Sequence, residues 1–347
     1  MKIEAVCFSG RGEELGRRLQ DGLSREGERA GLTRCGDDGP RIADWAAANF
    51  SCADALVFIG AVGIAVRAVA PHIVSKTTDP AVIVIDDGGR FVIPLLSGHI
   101  GGANALALRI ARMIEATPVV TTATDIHGAF AVDSWAVSRG MAIRNPQAIK
   151  IVSGKLLAGE TVRVKSCFPV TGSLPAGVDL ADDGYDVLIS ILANSDSDPR
   201  DSKTVLQLVP RTVVLGVGCR KGADGKVIGD AFEGICAAAG IVPEAVCKVC
   251  SIDLKKDEPG LLAFCEQRRL PFETFDAAGL AAISGDFTAS AFVEKTTGVD
   301  NVCERSAIAG GGVRLLAGKT VGNGVAMALA VGEYTVDFRS RSGSANE

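Results

Sequence analysis

Histidine is rare in this chain: only His72, His99 and His127 occur in 347 residues. Imidazole is the side chain whose ordinary pKa suits proton transfer near neutral pH, so any acid–base chemistry starts from these three positions. His99 has the most suggestive surroundings. It lies within Pro94-Leu95-Leu96-Ser97-Gly98-His99-Ile100-Gly101-Gly102-Ala103-Asn104, where Gly98, Gly101 and Gly102 let a ligand approach the backbone closely. The N–H groups of a beginning helix can hold a carboxylate or a developing oxyanion. A histidine there can activate water beside its own oxyanion site, or it can simply hydrogen-bond within a tight turn. His72 follows Ala70-Pro71 and reads as solvated or locally satisfied. His127 comes after Thr121-Thr122-Ala123-Thr124-Asp125, whose hydroxyls and carboxylate follow a strand. Asp125 either works in a crevice there or caps a turn.

Other segments suit anions. Gly60-Ala61-Val62-Gly63-Ile64-Ala65-Val66-Arg67 is a strand-to-helix glycine turn. It lacks the third glycine and the acidic ribose partner of a dinucleotide site, which leaves a generic anion nest. Arg67 offers a fork for a carboxylate or covers the helix surface, and Lys76 and Asp79 at the next turn carry the same two readings. Gly216-Val217-Gly218-Cys219-Arg220-Lys221-Gly222 brings backbone donors and two cations after a strand. No Gly-Lys-Ser/Thr ending follows, so it is not a P-loop. Cys219 has no nearby histidine to activate it. Cys247-Lys248-Val249-Cys250 has metal-ligand spacing, but strand alternation sends the two thiols to opposite faces, and core packing is the better account.

The elements that must position these residues read as an α/β protein. Lys2–Ser9 predicts a strand and Gly12–Glu28 a helix with Leu15, Leu19 and Leu23 on one face. Ala53–Ile59 is a short apolar run, and a helix over Ile64–Ala70 stops at Pro71. Ala81–Ile85 and Phe91–Leu95 flank a hairpin turn at Asp86–Arg90. Ser97 then opens a helix to about Glu115, and Pro118–Thr122 is another strand. Ligands in open α/β sheets sit at the carboxyl ends of strands, so Gly60–Gly63, Leu96–Asn104 and Thr121–Asp125 are expected to converge on one crevice. A second α/β pattern begins at Thr212. The expected organisation is an N-terminal α/β domain (1–138), a turn-rich middle module and linker (139–210), a C-terminal α/β domain (211–338) and a disordered tail (339–347), with parallel or mixed sheets in both α/β domains.

Bulk composition agrees and excludes several classes. The chain is 47% hydrophobic but only 5% aromatic, so its cores must be built from Ala, Val, Leu and Ile. A net charge of −5, with no basic block interleaved with aromatics, argues against nucleic acid. The opening Met1–Val6 reads as a strand, not as a signal peptide, and no run of about 18 apolar residues is present to span a bilayer. A cytoplasmic location is therefore expected, with the 10 cysteines reduced.

Taken together, these motifs resemble the CbiG family, the cobalt-precorrin-5A hydrolases of the anaerobic cobalamin pathway. The likeness runs over nearly the whole chain and rests on Gly60–Arg67, Lys76 with Asp79–Val82, Pro94–Asn104, Thr121–Asp125, Gly216–Gly222, Ser251–Lys256 and Val302–Arg305. The Leu-Leu-Ser-Gly-His-x-Gly-Gly-Ala-Asn run is its most specific part. The resemblance implies a C-terminal domain similar to the stand-alone CobE protein. It also implies a reaction that opens the δ-lactone of the ring-contracted substrate and expels acetaldehyde, giving cobalt-precorrin-5B. Cobalt then belongs to the substrate, with no separate cofactor and no protein-bound metal. Hand-over contacts with neighbouring pathway enzymes are expected as well. The resemblance assigns no catalytic residue; read from the residues themselves, His99 is the general base and Asp125 its orienting group or proton carrier. The substrate-binding set is Gly60, Gly63, Arg67, Lys76, Ser97, Gly98, Gly101, Gly102, Asn104, Thr121, Thr122, Gly218, Arg220, Lys221 and Glu304. A non-catalytic carrier of tetrapyrrole intermediates is the competing reading.

Overall fold

Two apolar runs, Ala55–Ile59 and Ala81–Ile85, have every side chain buried, as happens in strands covered on both faces. They are the centre of a six-stranded sheet. The computed structural model describes residues 1–36, 39–75, 78–122, 129–193 and 204–339. It divides into two compact units, Met1–Val137 with Ser153–Glu160, and Ser138–Val152 with Thr161–Glu347.

In the first unit the elements run β1 (Lys2–Cys7), α1 (Gly10–Arg25), β2 (Arg29–Arg34), α2 (Ile42–Asn49), β3 (Ala55–Ile59) and α3 (Val62–Val69). They continue with β4 (Ala81–Ile85), β5 (Phe91–Leu96), α4 (Ala103–Ile114), β6 (Thr117–Pro118) and α5 (Val132–Ser138). The strand order is β2-β1-β3-β4-β5-β6. Strand alternation sorts side chains by face. Ile3, Ala5, Val57, Ile59, Ile83 and Ile85 pack with Leu15 and Leu19 of α1 and Leu106 and Ile110 of α4. Val6, Leu56, Phe58, Val82 and Val84 pack with Trp45 of α2 and Ala65 and Val69 of α3. Helices thus cover both faces.

One pairing decides the position of the glycine-rich loop. Strands β1, β2, β3 and β4 are mutually parallel, but β4 and β5 form an antiparallel hairpin with Val82 opposite Leu96. Leu96 therefore ends at the edge where β3 and β4 begin. Strand β6 is parallel to β5, so the chain after it emerges at that same edge.

The second unit contains two larger sheets. Residues 139–210 form one with order β10-β8-β11-β12-β7, from β7 (Ala142–Ile143), β8 (Val162–Ser166), β10 (Val178–Leu180), β11 (Val187–Ile189) and β12 (Leu206–Val209). A short strand, β9 (Val170–Thr171), pairs instead with β18 (Val336–Asp337). The other sheet has order β15-β14-β13-β17-β16 and comprises β13 (Val213–Cys219), β14 (Val246–Ile252), β15 (Phe272–Phe275), β16 (Arg314–Gly322) and β17 (Val325–Val331). Val213, Leu215 and Val217 share a core with Ile228 and Phe232 of α6 (Gly225–Ala238) and Leu261 and Phe264 of α7 (Pro259–Arg268). On the opposite face α8 (Cys303–Ala309) crosses β13 so closely that a Cβ at Gly216 would lie 1.8 Å from the Cys303 carbonyl oxygen. Glycine is required there for packing. Among the described residues, no helix is long and apolar enough to cross a membrane.

Candidate active site

The segment expected to open a helix at Ser97 does not do so. Helix α4 starts at Ala103, with Gly102 as its N-cap at φ +79°. Three glycines within five residues, and two left-handed positions, are poor helix material. Ser97 is itself left-handed at φ +57°, a conformation that costs a non-glycine residue about 1–2 kcal/mol. Its hydroxyl donates to the Asp79 carbonyl at 3.1 Å. The Asp79 carboxylate in turn accepts from the amides of Val74 and Ser75. The Ser97–Gly102 loop then folds back on the helix: Ala103 N–H donates to Ser97 O at 3.1 Å, Asn104 N–H to Gly98 O at 2.9 Å, and Gly102 N–H to His99 O at 3.0 Å.

These bonds change which amides can receive an oxyanion. The first two amides of α4, and that of Gly102, are already committed. The amides of Gly98, Ile100 and Gly101 have no partner among the described residues, so the donors lie in the loop rather than in the helix terminus. The loop is also tight. A Cβ at Gly98 would lie 2.8 Å from Asn104 Oδ1, and one at Gly101 would lie 2.4 Å from Ser97 Cβ. Asn104 is 8% exposed, and its Nδ2 donates to Thr122 Oγ1 at 2.9 Å, which joins the first turn of α4 to the segment after β6. Thr121 beside it is exposed.

His99 faces a carboxylate that sequence reasoning missed. Its Nδ1 lies 3.3 Å from Oδ2 of Asp133, the second residue of α5. The two side chains are 15% and 6% exposed. Asp133 Oδ1 accepts the Ser134 N–H at 2.9 Å. Burial pushes the Asp133 carboxyl up, but the hydrogen bond and charge of His99 and the Ser134 amide outweigh it and hold the group below its ordinary value. Asp133 is 34 positions from His99, and nothing local in the sequence pairs them. Asp125 and Lys76, assigned as catalytic partner and substrate ligand, lie outside the described residues, as do His127 and residues 340–347 of the expected tail.

Two of the three segments expected to converge do so, Leu96–Asn104 and Thr121–Thr122. The third does not. Gly60 and Gly63 follow β3 at its carboxyl end, whereas the antiparallel β5 delivers Ser97 to the amino ends of β3 and β4. Five residues of strand separate these edges by roughly 17 Å. Arg67 belongs to that far edge as well, since a Cβ at Gly63 would be 3.7 Å from its Nη1. His72 is half-buried in a 3-10 turn, its ring 5.7 Å from Phe50.

The C-terminal assignments also change in part. Gly218 is a residue of β13 paired with Ala326, not a loop donor. Arg220 and Lys221 are exposed, but the Gly222 amide is taken by Glu258 Oε1 at 2.7 Å, whose other oxygen holds Lys255 Nζ at 3.0 Å. Burial raises the Cys219 thiol and outweighs the opposing pull of Lys255, so Cys219 is no activated nucleophile. Cys250 is buried and pushed up to about 12 by burial, in keeping with core packing. Glu304 is 2% exposed. Its carboxylate is consumed internally by the Thr288 amide at 2.7 Å, the Thr288 hydroxyl at 3.2 Å, Asn301 Nδ2 and the Lys319 amide at 2.6 Å. It ties α8 to its neighbours and has no capacity left for a ligand.

Comparison with known proteins identifies the setting of this site. A family model for the cobalamin synthesis G N-terminal region matches residues 44–125, and one for the cobalamin synthesis G C-terminus matches residues 213–330. The chain is 37% identical over 272 residues to the cobalt-precorrin-5A hydrolase of Salmonella typhimurium strain LT2, covering 75% of this chain and 77% of that protein. The chain belongs to the cobalt-precorrin-5A hydrolase family. It is also 31% identical over 268 residues to the family member of Priestia megaterium, covering 73% of this chain and 71% of that protein. The expected CobE likeness is present too: 32% identity over 101 residues to protein CobE of a Sinorhizobium species, covering 29% of this chain and 66% of that protein. His99 and its loop fall inside the N-terminal match, and Asp133 falls outside it.

Proposed function

We propose that this chain hydrolyses cobalt-precorrin-5A, with His99 as the general base and the Ser97–Gly102 loop as the oxyanion site. The relationship to the Salmonella hydrolase, across three quarters of both chains, carries the substrate and the reaction class. The loop supports the chemistry. His99 takes a proton from water as the water oxygen attacks the lactone carbonyl. The developing oxyanion is received by the amides of Gly98 and Gly101, fixed donors of the kind that stabilise such charge by several kcal/mol. Collapse of the tetrahedral intermediate breaks the carbonyl carbon–lactone oxygen bond, leaving a carboxylate and a hydroxyl on the former bridging carbon. Loss of the hydroxyl proton then breaks that carbon's bond to the ring. The electron pair remains with the macrocycle, which takes up a proton, and the two-carbon fragment leaves as acetaldehyde.

Cobalt enters as part of the substrate in this scheme, and the chain's own groups do the rest. A carrier without catalysis is not favoured by the family relationship. The two readings separate in one incubation of purified protein with cobalt-precorrin-5A. Acetaldehyde and a ring-opened product are expected, whereas tight binding with neither product would support the carrier.

A further inference from the structure

We propose that Asp133 is a positioning residue for this hydrolysis: it accepts the Nδ1–H of His99 and so makes Nε2 the nitrogen that acts as base, a role that rests on His99 being the base. Both ends of the contact are anchored independently. Asp133 sits on α5 between the buried Val132 and Ala136, and its Oδ1 is fixed by the Ser134 amide, leaving Oδ2 directed at the ring. Trp135 of the same helix packs on Phe130 with ring centroids 5.5 Å apart, which restrains the helix start. His99 is carried by a loop closed on α4 through the Ser97 and Gly98 carbonyls. The imidazole is therefore held by its surroundings rather than by chance rotation.

An ionised carboxylate on a side chain only 6% exposed is tolerated only when it is paired. In a ring whose Nδ1 faces such an acceptor, the neutral form carries its proton on Nδ1, and the lone pair is on Nε2. A carboxylate that fixes the tautomer and then stabilises the imidazolium formed in the transition state acts on turnover more than on substrate affinity. Simple structural pairing would instead change stability and leave turnover per folded molecule alone.

The test uses the full-length chain with 15N-labelled histidine, and His72→Gln and His127→Gln variants assign the three rings. In the wild type at a pH where the ring is neutral, long-range 15N–1H spectra are expected to show the Nδ1–H tautomer for His99. Asp133→Asn is expected to shift that ring toward the other tautomer and to lower kcat on the order of 100-fold with KM changed less than about 3-fold. Asp133→Glu should recover part of the loss. An Nε2–H tautomer in the wild type would overturn the proposal, and so would Asp133→Asn with unchanged tautomer and kcat. Should Asp133→Asn not fold, the wild-type tautomer decides alone. If His99→Ala kept full turnover, the general-base reading would fail instead, whatever the tautomer.

Discussion

Gly101 and Gly102 are neighbours that do different things, and substitution separates them. A Cβ at Gly101 would collide with Ser97 at 2.4 Å and with its carbonyl oxygen at 2.9 Å. Gly101→Ala must therefore displace the loop that carries His99 and its amides. Displacements near 1 Å at a reacting centre can cost about 100-fold, so kcat is expected to fall by on the order of 10- to 100-fold in a protein that still folds. At Gly102 nothing lies within 4 Å, but φ is +79°. Gly102→Ala should lose about 1–2 kcal/mol of stability from the left-handed backbone and keep kcat within about 3-fold. Steady-state kinetics beside urea melts measure both, and equal kcat losses in the two variants would contradict this division.

The importance of the glycines was legible at this scale; their division of labour was not. Adjacent glycines look alike in sequence, and only the fold shows which one touches Ser97. Asp133 was equally hidden, because its contact with His99 spans 34 positions. Glu304 carried a signal that was available. Asn301 three residues before it has capping-box-like spacing, and Asn301 Oδ1 does accept the Glu304 amide at 2.9 Å.

At the scale of elements, the β4–β5 hairpin reorganises the site. Its turn was readable from Asp86–Arg90, whose Asp86 carboxylate accepts the amides of Arg90 and Phe91. What composition did not convey was polarity: one antiparallel strand sends the loop after β5 to the edge opposite the β3–α3 turn. Arg67→Ala is accordingly expected to leave kcat within about 2-fold of the wild type. A loss above 10-fold would place Arg67 against the reacting groups and contradict the strand order as an account of the site.

Helix α5 makes a second element-level prediction. Because the Asp133 carboxyl is held below its ordinary value, its ionised form favours the folded state. That contribution is complete above about pH 4, where the unfolded group is already ionised, and it is lost as pH falls through the lower folded value. The stability difference between wild type and Asp133→Asn, followed by urea midpoints from pH 7 downward, should thus shrink below about pH 4. A difference that stayed constant to pH 3 would mean that the carboxylate is not held this way.

For the whole molecule, much of the architecture followed from patterning. The short apolar runs pointed to strands, and their alternation with helices predicted α/β layers. Residues 139–210, with weaker periodicity, concealed a five-stranded sheet, because its strands are only two to five residues long. Such lengths fall at or below the window in which alternation is readable. The Gly216–Gly222 run suggests backbone donors in sequence, yet Gly216 serves the close crossing of α8. A glycine-rich strand end is ambiguous until the partner backbone is known.

The central claim is that His99 is the base for lactone opening. It is tested most directly by incubating cobalt-precorrin-5A with the wild-type chain and with His99→Ala, and quantifying acetaldehyde and the opened macrocycle by mass spectrometry. The wild type should release one acetaldehyde per macrocycle opened. His99→Ala should bind the substrate and slow both products together by on the order of 100- to 10,000-fold. Acetaldehyde release by His99→Ala at the wild-type rate would contradict the account.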